Sequence, residues 1–79
     1  MNNVDYSRLL ELKRLIDNKQ AEPSHKKEYI ELLYRNGNIT EQQYQAYIKN
    51  QNTDDIINAA LTIGGVILAT WLITKLFEK

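Results

Sequence analysis

Cysteine is absent from the chain, which excludes disulfides, thiolate metal sites and thiol nucleophiles together. Histidine occurs once, as His25 beside Lys26 and Lys27 at an anticipated helix start. With no second histidine and no clustered carboxylates it has no metal partner, and it reads as a solvated side chain. There is no Gly-rich phosphate loop, no nucleophile elbow and no pair of acids in an apolar setting. An enzyme is therefore not expected, nor any cofactor or metal. An excess of either charge is also missing. Residues 1–53 carry eight Lys or Arg against seven Asp or Glu, a net charge of +1. So balanced a surface lacks the clustered basic patch that nucleic-acid binding requires. Nor does a continuous apolar block open the chain, since residues 1–20 alternate apolar and charged positions. No secretory signal is expected there.

What the chain does have is an apolar tail. From Ile56 through Thr74 no charge occurs, and the polar residues are Asn58 and three threonines. A helix rises about 1.5 Å per residue, so the stretch Ile56–Phe77 covers roughly the 30 Å hydrocarbon thickness of a bilayer. A buried core helix is the alternative, but the remainder of a 79-residue chain is too small and too polar to wrap a helix that is apolar all round. The expected membrane-facing residues are Ile56, Leu61, Ile63, Val66, Ile67, Leu68, Trp71, Leu72, Ile73, Leu76 and Phe77. Trp71 would lie near the far interface, with Lys75 reaching outward to water. Ala60 with Gly64, and Gly65 with Ala69, form two small-xxx-small pairs that would let such helices associate in lipid. Asn58, Thr62, Gly65 and Ala69 share one face and suggest a hydrogen-bonding seam.

The tail expects a tail-anchored arrangement at the cell membrane, single-pass, with the amino-terminal module most simply cytoplasmic. Flanking charge does not set the orientation, because Arg35 and Lys49 balance Lys75 and Lys79. The organisation read from the sequence is a helical module over 1–49, a linker at 50–53 and a transmembrane helix over 54–79. The fold class is all-α: a small two- to three-helix module followed by one long apolar helix.

Within the module, residues 1–5 are polar and should fray, and a helix is expected from about Tyr6. Leu9, Leu12 and Ile16 form its apolar stripe, joined by Leu10 and Leu15. Asn3 or Asp5 would cap its start, and it should end near Asn18 to Gln20. A second helix is expected from Pro23, or capped by Ser24, to about Asn36, with Tyr29, Ile30 and Leu33 inward and Leu32 and Tyr34 flanking. Gly37 suits the left-handed position that closes it. Thr40 opens a third helix: Gln43 completes a capping box, and Ile39 with Tyr44 forms a hydrophobic staple. The module core then comprises Leu9, Leu12, Ile16, Ile30, Leu33, Ile39, Tyr44, Tyr47 and Ile48. Thr53 can cap the last helix, with Asp54 and Asp55 in its first turn. An internal echo runs at an offset of eighteen, where Leu15, Asn18, Tyr29 and Ile30 correspond to Leu33, Asn36, Tyr47 and Ile48.

Residues Lys26 to Asn50 carry a helix ending in Leu32 and Leu33, a turn with Gly37, then Ile39-Thr40, Glu41, Gln43 and Tyr44. This pattern resembles the SHOCT domain, a short C-terminal domain of many bacterial proteins. Here the turn is a residue longer, and the motif precedes the apolar run. The resemblance implies a two-helix packing or oligomerisation module without catalytic residues. Together these features expect a non-enzymatic, single-span bacterial membrane protein that binds itself or another protein, with membrane lipid as its other partner. Two competing readings are a membrane-perturbing small protein, such as a phage holin or peptide toxin, and a soluble oligomer or complex that buries the apolar helix. So small a helical module buries little surface alone, which also points toward assembly.

Overall fold

Four helices follow one another in the computed structural model, which describes residues 3–51 and 53–77: α1 (Asn3–Asp17), α2 (Pro23–Arg35), α3 (Glu41–Lys49) and α4 (Asp54–Phe77). The fold is all-α, with three helices ahead of one long apolar helix, and no strand occurs among the described residues. The anticipated Asn3 side-chain cap and the flanking charge of Lys79 lie outside the described side chains.

α1 begins three residues earlier than its apolar stripe suggests. The cause is tertiary: Arg35 donates to Asp5 Oδ1 at 2.9 Å and Asn36 Nδ2 donates to Asp5 Oδ2 at 3.1 Å. These contacts hold the first turn of α1 on the last turn of α2. Further along, Arg8 forms a two-pronged pair with Glu28, Nε to Oε2 at 2.6 Å and Nη2 to Oε1 at 2.8 Å. The early part of α1 therefore meets the later part of α2, and the two helices run antiparallel.

The two corners of this hairpin are built alike, eighteen residues apart. At the end of α1, Lys19 N–H donates to the Ile16 carbonyl and Gln20 N–H to the Leu15 carbonyl. At the end of α2, Gly37 N–H donates to Tyr34 and Asn38 N–H to Leu33. Both are Schellman closures around a left-handed residue, Lys19 at φ 57° and Gly37 at φ 75°. The helices that follow start alike as well. Thr40 and Gln43 make the expected capping box, at 3.1 Å from Gln43 N–H to Oγ1 and 2.8 Å from Thr40 N–H to Oε1. Eighteen residues earlier, Glu22 is the N-cap ahead of Pro23, and its N–H donates to His25 Nδ1 at 3.0 Å. His25, read from sequence as merely solvated, thus closes a helix start, and Glu22 rather than Ser24 occupies the cap.

The core sits where α1, α2 and α4 meet. Leu9, Leu12 and Ile16 from α1 join Tyr29, Ile30, Leu32 and Leu33 from α2, with Ile39 from the second corner and Ile57, Ala60 and Leu68 from α4. Burying a large apolar side chain stabilises by roughly 1.5–3 kcal/mol, and Leu9, Leu12, Tyr29, Ile30 and Leu33 are fully covered. α3 is peripheral. Its Tyr44, Tyr47 and Ile48 are only partly buried against the core, and Tyr44 stacks on the exposed Tyr34 at 4.4 Å between centroids. α4 folds back on the module and touches all three preceding helices. The Thr53 hydroxyl donates to the Asn50 carbonyl at 2.9 Å, and Asp54 and Asp55 place negative charge in the first turn of α4.

Candidate functional site: the apolar helix and the seam beneath it

α4 is the one helix among the described residues long and apolar enough to cross a membrane, with a mean hydropathy of 2.0 over its most apolar window. Its 24 residues extend roughly 36 Å at the α-helical rise. Only one stripe is covered by the rest of the chain. Ile57, Ala60, Gly64 and Leu68 are buried, at spacings of three, four and four that set one side of a helix against its neighbours. Direction follows from the ends. Asp54, Ile57 and Leu61 line an open groove of about 470 Å³ with Ile16, Asp17 and Lys26. At the other end Trp71 stacks on Tyr6 at 5.0 Å and 11° between ring planes. α4 is thus antiparallel to α1.

The opposite side is bare. Val66 is 65% exposed, Ile73 55%, and Leu76 and Phe77 82% each, with Leu72 also exposed. Of the remaining expected membrane-facing positions, Leu68 is buried, while Ile56, Leu61, Ile63, Ile67 and Trp71 are half-buried along the flanks of the seam. The threonines on the exposed surface do not offer free hydroxyls. Thr62 donates to the Asn58 carbonyl at 2.9 Å, Thr70 to Val66 at 3.1 Å and Thr74 to Thr70 at 3.0 Å. Each of these threonine hydroxyls donates within its own helix, which lowers the polarity these positions present outward.

The small residues divide between the two sides. Ala60 and Gly64 lie in the seam, where Gly64 receives the ring of Tyr29. A Cβ at Gly64 would overlap the Tyr29 hydroxyl and approach its Cζ to 2.6 Å. Gly65 has room, since a Cβ there would rest 3.5 Å from Lys13 Cε. Ala69 is exposed. In this fold Gly64, read from sequence with Ala60 as a contact between copies, is met within the chain by Tyr29, and Ala60 is buried beside it. Nothing in the sequence pairs Tyr29 with Gly64, and the signal that remains is a large inward aromatic facing a helix with one missing side chain.

Tyr29 is buried, its hydroxyl has no hydrogen-bond partner, and desolvation pushes its ionisation well above the ordinary phenol value. Near the exposed end of the seam, Lys75 Nζ lies 5.9 Å from the Trp71 ring. On the hairpin, the hydrogen bonds from Arg8 hold the Glu28 carboxyl below its usual range, and Glu28, then Glu11, raise the guanidinium in turn. Among the described residues no three His, Asp or Glu side chains converge as a metal site. What the arrangement offers is surface: a hairpin that grips one stripe of an apolar helix, half-covers its flanks and leaves the opposite side bare.

No protein-family model, curated protein or solved structure matches this chain. The functional reading rests on its own residues.

Proposed function

We propose that the chain is a non-enzymatic membrane-anchored interaction module. α4 is its single span, and the helical hairpin with its SHOCT-like segment at 26–50 binds a second copy or another protein at the cytoplasmic face of the cell membrane. Anchoring raises the effective concentration of the module at the membrane, a mechanism that needs no chemistry. One observation carries the reading: a 24-residue apolar helix of which 22% is buried across its most apolar window. Lipid is a cover of matching length for what the chain leaves bare. Membranes washed in alkaline carbonate test it. The full chain is expected to stay in the membrane pellet, and recovery wholly in the soluble fraction would remove the anchor.

The pore-forming reading is less favoured, because the threonine hydroxyls are spent on the helix's own carbonyls and leave little to line a water path. A water-soluble complex draws on a different observation, the packing of Ile57, Ala60, Gly64 and Leu68 against the hairpin. Solubility of the purified full chain without detergent, together with failure to bind vesicles, would favour it.

A further inference from the structure

α4 cannot both lie along α1 and cross a bilayer. α1 accompanies α4 from Ile16 and Asp17, beside Ile57, to Tyr6, stacked on Trp71. A bilayer enclosing α4 would enclose α1 with it. α1 carries Arg8, Glu11, Lys13, Arg14 and Asp17, and charged side chains at that depth are strongly unfavourable. The folded-back arrangement therefore belongs in water, and insertion requires the hairpin to release α4.

We propose that the hairpin is a latch for its own C-terminal helix, closed by Tyr29 on Gly64 and Tyr6 on Trp71, and that bilayer contact at the exposed tip of α4 opens it. This rests on the membrane reading above. Two features make the latch releasable, and a third sets how closely it shuts. Closure shelters the Ile57–Leu68 stripe but leaves Leu72, Ile73, Leu76 and Phe77 exposed at and beyond the Trp71 stack, where they meet lipid first. Closure also leaves the Tyr29 hydroxyl buried without a partner, whereas release returns it to water, so the group biases the equilibrium toward opening. Finally, the fit at Gly64 tolerates no added atom without movement of the Tyr29 ring. The tyrosine and the glycine thus act in opposite directions on one equilibrium: the hydroxyl loosens the latch, and the missing side chain permits it to close.

The test uses the full chain, made by cell-free synthesis without lipid. It is mixed with vesicles of phosphatidylcholine containing a minority of phosphatidylglycerol. Trp71, the single tryptophan, reports insertion through its emission and its quenching by brominated acyl chains. Tyr29→Phe keeps the ring and deletes the unpaired hydroxyl. It should tighten the latch and raise the lipid concentration for half-insertion by about tenfold. Gly64→Ala should lower that concentration, and all chains should reach the same quenching at saturating lipid. Should Gly64→Ala fail to fold, Tyr29→Phe carries the test alone. A Tyr29→Phe midpoint equal to or below that of the wild type, with insertion intact, overturns the latch and spares the anchor. Wild-type Trp71 that never reaches the quencher overturns both.

Discussion

The adjacent glycines of α4 make opposite predictions under one substitution. In a helix interior, Gly→Ala alone is worth about 0.5–1 kcal/mol of stabilisation. At Gly65 the added methyl would rest 3.5 Å from Lys13 Cε, an ordinary contact, so Gly65→Ala should collect that gain. At Gly64 the methyl would overlap the Tyr29 hydroxyl and sit 2.6 Å from Cζ, and the ring it meets is fully buried. Overpacking of this kind costs about 1–3 kcal/mol, which outweighs the helical gain. The two variants should differ by about 1–3 kcal/mol, with Gly64→Ala the less stable. Urea unfolding of the lipid-free full chain, followed by circular dichroism and Trp71 emission, reads the difference. For a domain of this size each kcal/mol corresponds to about 4–8 °C in Tm, so thermal scans resolve it too. Equal stabilisation by both alanines would mean that Tyr29 does not press on α4, and the folded-back packing would be refuted.

Three further outcomes follow from the hairpin. The Glu28 carboxyl is held below its ordinary value near 4.5, so its contribution is fully present above that pH and is lost as pH falls through the lowered folded value. Glu28→Gln should leave a shallower acid loss below about pH 4.5 in urea midpoints, by less than about 1 kcal/mol because the pair is 39% exposed on each side. Thr40→Ala removes the acceptor for Gln43 N–H and should cost about 0.5–2 kcal/mol, seen as faster amide exchange over the first turn of α3. Lys19 holds the left-handed angle that Gly37 holds in the second corner. Lys19→Gly should therefore be neutral or stabilising by up to about 1 kcal/mol, and Gly37→Lys should destabilise by about 1–2 kcal/mol in the same unfolding assay.

The parts of this fold written in local chemistry were legible in the sequence. Thr40 and Gln43 announced α3 to the residue, Gly37 announced the end of α2, and Leu9, Leu12 and Ile16 announced the inward side of α1. The eighteen-residue echo pointed to two corners that share hydrogen bonds even where residue types differ, with Lys19 standing where glycine is usual and His25 standing where glutamine caps. The docking of α4 was not legible. A helix that is apolar on every side has no stripe to say which face turns inward, so Ala60 and Gly64 suggested association between copies. The Tyr29 ring that meets Gly64 comes from another helix, thirty-five positions upstream. The early start of α1 was hidden for a related reason: Asp5 is held by Arg35 and Asn36, partners that only the antiparallel hairpin brings near.

A membrane-anchored module requires α4 to end up across a lipid bilayer. Polarised infrared spectroscopy of the full chain in supported bilayers, with isotope-labelled carbonyls between Leu61 and Ile73, measures the direction of that helix. A spanning α4 gives an axis close to the membrane normal, within the tilt of about 0–40° found for spanning helices. An axis lying in the bilayer plane, or a chain that washes away from the bilayer, would contradict it.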